Sequence, residues 1–337
     1  MKAVVYSKPR DFQVVDIPTP APSPGKVLIK VLMAGVCGTD LHLHVGEFGP
    51  AYPLTPGHEI QGEVVGLGTG VSGLSIGQRV VVDNAVGCHE CFECRRGHSA
   101  RCPKAKAQGV NAPGGFAEFI VAGAAQCYVV DDLDPDVAMF TEPLSCVVHG
   151  IDMLDPRPGS QALVFGAGPT GLLLAQMLKA NGACDVVMAA PTRFKLDLAE
   201  SLGLKILQVD RNDPHGSLKQ LRALARQGFD IVADATGQPR VLAQAMDLVR
   251  DAGTVLVYGV AEEGSSWEVN PYDVFRRELT IKGSFSQSAE FDRSLRWLRS
   301  GRITTEGIIT HRFALDDYSQ ALKATADSGC LKAVIVP

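Results

Sequence analysis

Four cysteines stand close together in "CHECFECRRGHSARC", as Cys88, Cys91, Cys94 and Cys102 in a C-x2-C-x2-C-x7-C array. Thiolates so near one another in a loop can close a tetrahedral shell around zinc and leave no position for chemistry. The array therefore predicts a structural metal lobe over residues 86–103, in which His89 and His98 are not needed as ligands. A second set is scattered: Cys37 in "GVCGTDLH", His58 and Glu59 in "PGHE", and Glu142 in "TEPLS". One thiolate, one imidazole and one carboxylate with a fourth position open is the composition of a catalytic zinc site, which can act as a Lewis acid on a hydroxyl. Read singly, Cys37 also suits a small buried hydrophobe and His58 a hydrogen-bonded core residue. Neighbours in a regular strand face opposite ways, so His58 and Glu59 can share a metal only if the backbone bends there. Glu59 and Glu142 thus stand as alternative third ligands. Thr39, two residues after Cys37, is placed to take a proton through a hydrogen bond.

A third chemical signal is Gly166-Ala167-Gly168-Pro169-Thr170-Gly171, which fits G-x-G-x-x-G directly after "ALVF" and before an apolar helical stretch. Gly166 permits the tight turn, Gly168 lets the backbone approach a pyrophosphate, and Gly171 allows close helix–strand packing. Pro169 costs little at a helix start, where its missing donor has no intrahelical acceptor anyway. The fingerprint expects Asp or Glu about 20 residues on, bonded to the adenosine ribose 2'-hydroxyl. That place falls at Ala189 or Ala190 in "VVMAAPTRFK". An acid there would repel a 2'-phosphate by roughly 4 kcal/mol at 4 Å and an effective dielectric near 20. With Ala190 making room and Thr192, Arg193 and Lys195 offering donors and charge, the expected cofactor is NADP rather than NAD.

The elements that must position these residues have two textures. Up to about residue 140 the chain is rich in Gly, Pro and β-branched residues, with short apolar segments such as "VLIKVLMAGV", "GEVVGLG" and "RVVVD" bounded by turn residues, as in a mainly β domain. From about 143 to 283, six candidate strands, "QALVFG", "DVVMAA", "KILQV", "DIVADAT", "GTVLVYG" and "LTIKGSF", alternate with helical stretches such as "PTGLLLAQMLKANG" and "PRVLAQAMDLVRDAG". Such alternation makes a doubly wound parallel sheet. The tail adds an amphipathic stretch, "AEFDRSLRWLRSG", a helix near "LDDYSQALKATADSG", and a last strand, "LKAVIVP". The organisation expected is 1–142, 143–283 and 284–337.

Composition narrows the classes. The 337 residues suffice for two domains, and 46% hydrophobic with 20% charged residues suits a soluble globular chain. A formal charge of −5 lacks the basic excess that nucleic-acid binding needs. No apolar run reaches the roughly 20 residues of a membrane span, and "MKAVVYSKPR" lacks a signal-peptide core, so the cytoplasm is the expected location. Nine cysteines in such a chain point to metal or catalysis rather than disulfides.

"GVCGTDLH", "PGHE", the four-cysteine lobe, "TEPLSCVVHG" and "GAGPTGLLLAQ" together resemble the zinc-containing medium-chain dehydrogenase/reductase family, in order and over nearly the whole chain. The resemblance implies an α/β architecture: a GroES-like β-rich catalytic domain, an inserted Rossmann domain, and a C-terminal return to the catalytic domain. Glu142-Pro143-Leu144 resembles the polyol dehydrogenase branch, which oxidises sugar alcohols such as sorbitol, xylitol and arabinitol to ketoses. That likeness puts Cys37, His58 and Glu59 on the catalytic zinc, with Glu142 a ligand or one water away. With the lobe this gives two zinc ions per chain. The resemblance also implies that Arg277, in "FRRELTIKG", reaches substrate hydroxyls, that His42 relays the proton, and that the chain forms a homodimer or homotetramer. "CGTDLH" and "GHE" occur as well in L-threonine dehydrogenases, the alternative enzyme reading. A nucleotide-binding sensor on a retired dehydrogenase scaffold is the non-enzyme alternative, against which the retention of Cys37 and His58 counts.

Overall fold

The computed structural model describes residues 1–337. The chain forms two compact units, one from Met1–Ser145 with Gln287–Pro337, the other Cys146–Ser286. The division at Ser145/Cys146 falls inside the helix Thr141–Leu154, where no change of composition marks it.

In the first unit the organising element is the strand Lys26–Val36. Its first part alternates buried and exposed residues, while Met33 to Val36 are all buried, because that end is covered on both faces. On one side it pairs antiparallel with Glu59–Leu67. On the other, Phe119–Gly123 pairs with its first part and the last strand, Lys332–Ile335, with its final residues. The C-terminal tail thereby becomes a central strand of the N-terminal sheet. Apolar residues from the whole unit, including Tyr6, Ile29, Ile60, Phe116 and Tyr318, fill the common core. That packing fixes the strand ends from which the site is built.

The second unit is a six-stranded sheet in the order Lys205–Gln208, Asp185–Ala190, Gln161–Phe165, Phe229–Asp234, Val249–Val257, Thr280–Gly283, and every pairing is parallel. Strand order reverses between Gln161–Phe165 and Phe229–Asp234, the switch point at which such sheets open a ligand crevice. One boundary differs from the sequence expectation. The segment read as helical to residue 253 ends its helix at Leu248, and the following strand already starts at Val249. A register shift between Phe229 and Ile231 and an Arg250–Asp230 ion pair of 2.6 Å hold those early residues extended. No helix is long and apolar enough to cross a membrane.

Candidate active site

Cys37 follows the central strand and is the N-cap of the helix Gly38–Val45. Asp40, at the third helical position, accepts a hydrogen bond from the Cys37 backbone N–H at 2.8 Å, which fixes the turn that presents the thiol. His58 lies in the loop just ahead of the strand Glu59–Leu67. Gly57 before it has φ +93, and a Cβ there would stand 2.7 Å from the Phe116 ring. Only glycine makes that bend, which sets the direction from which the chain delivers His58 and Glu59. One ligand atom each from Cys37, His58 and Glu59 lies within 4.8 Å of the others. A tetrahedral zinc, whose donors stand roughly 3.3–3.8 Å apart, fits this set with small side-chain rotations.

The surroundings are electronegative and closed. Asp40, His58 and Glu59 are each at most 5% exposed. His58 Nδ1 faces Asp40 Oδ1 at 3.8 Å, and neither atom has a closer partner. Burial pulls the His58 pKa down, but Asp40, Cys37 and Glu142 outweigh it and hold it well above the usual imidazole range. Burial also raises Asp40 above the usual carboxylate range, against the pull of His58. Lys332, the first residue of the last strand, sets its Nζ 2.5 Å from both Glu59 oxygens. Its burial opposes the charge, yet Glu59, Cys37 and Glu142 leave its pKa raised. A half-buried thiol and three buried carboxylates facing one imidazole and one ammonium suit a divalent cation.

Glu142 sits in the first turn of Thr141–Leu154, 8% exposed, and acts electrostatically on both His58 and Lys332. It is not among the three converging donors. Thr39 Oγ1 lies 3.8 Å from Cys37 Sγ. His42 stands one turn further on the same helix, with Nδ1 bonded to Glu47 Oε2. Asp40 and Lys332 are additions that motif reading missed. Asp40 carries the local signal of a helix-capping position, whereas nothing near Lys332 in sequence points to Glu59.

The four lobe cysteines converge as a second set, with their Sγ atoms within 4.8 Å of one another and all four thiols free. Backbone amides aim at the sulfurs: Cys91 N at Cys88 Sγ, 3.4 Å; Cys94 N at Cys91 Sγ, 3.5 Å; Lys104 N at Cys102 Sγ, 3.3 Å. Such donors favour thiolate, and those from Glu90 and Cys91 draw the Cys88 pKa down to about 6. A four-thiolate zinc fits, with no vacancy for substrate.

In the second unit the glycine loop is shaped for a dinucleotide. Gly166 has φ +101, and a Cβ on Gly171 would lie 2.0 Å from Gly166 O. A Cβ on Gly168 would meet nothing within 4 Å, which leaves open the face that a pyrophosphate approaches. Gly168 caps the helix Pro169–Ala180, so the first N–H groups, including those of Thr170 and Gly171, point toward that space. Ala190 ends its strand, buried and without an acid beside it. Thr192 caps the helix Arg193–Ser201, on which Lys195 also lies. Arg193 pairs along that helix with Asp197 at 2.6 Å and Glu200 at 2.9 Å, solvent-exposed contacts that water and salt screen and from which it is readily released.

Arg277, expected to reach substrate, is engaged with its own domain in this structure. Its guanidinium donates to Met246 O at 3.0 Å, to Val249 O at 2.5 Å and to Asp251 Oδ1 at 2.9 Å. It closes the carboxyl end of the helix Pro239–Leu248, where free carbonyls attract a cation.

Known proteins share this arrangement. Residues 23–132 match the alcohol dehydrogenase GroES-like domain, and residues 169–300 match the zinc-binding dehydrogenase domain. D-arabinitol dehydrogenase 1 of Uromyces fabae is 42% identical over 100% of this chain and 97% of its own. D-altritol 5-dehydrogenase of Agrobacterium fabrum is 35% identical over 94% of each chain. Among solved structures, a zinc-binding dehydrogenase from Sinorhizobium meliloti 1021 bound to NADP superposes with a TM-score of 0.93 at 32% identity, covering 100% of this chain and 99% of that one. With an open thiolate–imidazole–carboxylate site, a closed four-cysteine site and a dinucleotide-binding sheet all in place, the chain belongs to the zinc-containing medium-chain dehydrogenase/reductase family, as a zinc-dependent, NAD(P)-linked alcohol or polyol dehydrogenase.

Proposed function

We propose that the protein oxidises a secondary hydroxyl of a sugar alcohol to the ketose, reversibly, with NADP as the preferred acceptor. The observation that carries the substrate class is the full-length likeness to two dehydrogenases named for acyclic polyols. For the cofactor it is the strand Asp185–Ala190, which ends without the acid that selects against a 2'-phosphate. Arg193 and Lys195 supply positive charge just beyond it, with Thr192 as a hydroxyl donor.

When bound, zinc supplies Lewis acidity to the substrate hydroxyl and the nicotinamide supplies the hydride acceptor. Cys37, His58 and Glu59 would hold the metal, with Glu142 as a further carboxylate acting on His58. Asp40 fixes the Cys37 turn and sets a carboxylate oxygen 3.8 Å from His58 Nδ1, where its charge acts on the imidazole. Thr39, beside the Cys37 thiol, would accept the hydroxyl proton as it gives up its own, and His42, one turn along the same helix and held through Nδ1 by Glu47, would be the last group to pass a proton to water, with the cofactor ribose between them. Gly166, Gly168 and Gly171 with the helix start at Pro169 and Thr170 seat the pyrophosphate.

The strand Thr280–Gly283 is an exposed sheet edge with Ile281 38% exposed, and it supports assembly of homodimers or homotetramers by sheet extension. The discriminating experiment is a panel of pentitols, hexitols and L-threonine, each with both cofactors. The expected result is a polyol with the highest kcat/KM, and NADP favoured by about tenfold or more, the worth of roughly 1.4 kcal/mol. Equal or better turnover with NAD would remove the cofactor assignment, and preference for L-threonine would remove the polyol.

A further inference from the structure

The helix Gly38–Val45 carries two histidines, and the fold treats them oppositely. His44 faces aromatic side chains. The Tyr6 hydroxyl lies 2.9 Å from its Nδ1, and the rings of Tyr6 and Phe12 meet it edge-on. Burial, with Arg10 nearby, pulls the His44 pKa down, so this imidazole is kept neutral. His42 instead has its Nδ1 against a carboxylate oxygen of Glu47, the two side chains being 18% and 22% exposed. An adjacent carboxylate favours an imidazole that takes a second proton.

The chain is bent to make the second contact. The helix closes at Gly46, with φ +97, where a Cβ would stand 2.8 Å from Pro9 Cγ. Glu47 N–H then donates to His42 O at 3.0 Å, so that Glu47 is tied to His42 once by its backbone and again by its side chain. Phe48, next along, holds φ +65, a left-handed backbone that a bulky residue seldom adopts. It sets its ring edge-on to the His42 imidazole, with centroids 5.7 Å apart. Two consecutive residues of one turn thus grip a single ring.

A carboxylate only accepts, so Nδ1 of His42 carries the hydrogen and Nε2 is the basic nitrogen. We propose that Glu47 is a positioning residue for proton release: it holds the His42 ring in this tautomer and steadies the imidazolium that forms when Nε2 takes the proton given up by the substrate hydroxyl. The proton then passes from Nε2 to water or a buffer base, and His42 returns to its neutral form. The inference rests on the reading of His42 as the last proton carrier. His44, two residues along the helix, is the comparison within the molecule, an imidazole held by a phenol and carrying no proton out.

The test is the rate of the first turnover, followed as reduced-dinucleotide formation in a weak buffer. Glu47→Gln should slow it about tenfold with the alcohol KM and Tm unchanged, and added imidazole should bring it back to within about twofold by taking the proton in place of His42. Glu47→Asp, which keeps the charge, should fall between wild type and Glu47→Gln. His44→Phe should lower Tm and leave the first turnover at the wild-type rate in any buffer. His42→Ala decides the underlying reading. It should be slower than Glu47→Gln and be rescued by imidazole in the same way, whereas His42→Ala at the wild-type rate would remove His42 as the carrier and this proposal with it. With His42→Ala slowed and rescued, Glu47→Gln at the wild-type rate, or slowed and not relieved by imidazole, would overturn the proposal and leave Glu47 as a clamp on the helix end.

Discussion

The two metal positions of the first unit are specified by opposite kinds of information. The lobe takes its four ligands from residues 88 to 102, with backbone amides of the same loop turned onto the sulfurs. The open site takes Cys37 from the end of one strand and His58 and Glu59 from the start of another, and neutralises Glu59 with a lysine 273 residues away. A closed site can be local because it has only to hold its ion. An open site has to hold three donors and keep a fourth position free, which requires a rigid frame built from distant chain. Damage to the first should therefore cost structure, and damage to the second should cost chemistry.

The largest expected effect is at the open site. His58→Ala removes a metal donor, and the loss of several kcal/mol of Lewis-acid stabilisation should lower kcat/KM on the order of 1000-fold or more. Thermal stability should fall little, since the sheet remains. Cys91→Ser in the lobe should do the reverse, costing about 2–3 kcal/mol of stability, read as a drop in Tm of roughly 5–10 °C. Its kcat/KM should stay within about tenfold of wild type. Equal catalytic loss in both variants would erase the distinction between the sites.

Arg277 sharpens the contrast from the second unit. Because its guanidinium caps backbone carbonyls and Asp251, Arg277→Ala should lower stability by about 1–2 kcal/mol and leave the polyol KM unchanged. A KM raised tenfold at unchanged Tm would restore it as a substrate residue. The smallest effect is at the seam between sheet and lobe, where Asp83 Oδ1 accepts from Ala85 N and Gln287 Nε2. Burial pushes the Asp83 carboxyl up to about 6. The folded chain then holds a proton that the unfolded chain has lost between about pH 4 and 6. The stabilisation is complete below the unfolded value and is lost as pH rises through the folded one. Asp83→Asn should therefore gain about 1 kcal/mol relative to wild type as pH goes from 5 to 7.5, measured by denaturant titration. No change in that difference with pH would show that Asp83 is ionised throughout.

Legibility in the sequence followed the same division. The four-cysteine array, the glycine fingerprint and the six strands of the second unit are local patterns, and each is found where its spacing puts it. Cys37, His58 and Glu59 are candidates by residue type, but their meeting depends on the pairing of two strands, which sets Glu59 opposite Gly35 close to Cys37. Lys332 was invisible because a lysine in a terminal strand carries no mark of its partner. Arg277 shows the converse: nothing near an arginine before a strand points to the carbonyls of Met246 and Val249 that it meets in the fold. Arg193 shows a milder form of the same effect, being paired along its own helix.

The most direct measurement is the zinc content and turnover of Cys37→Ser, set beside wild type and Cys94→Ser. The expected result is two zinc ions per chain in the wild type and one in Cys37→Ser, with the wild-type melting profile nearly kept and turnover all but abolished. Cys94→Ser should lose zinc and stability and keep most of its turnover. A Cys37→Ser protein with two zinc ions and full turnover would contradict the assignment of the chemistry to the open site.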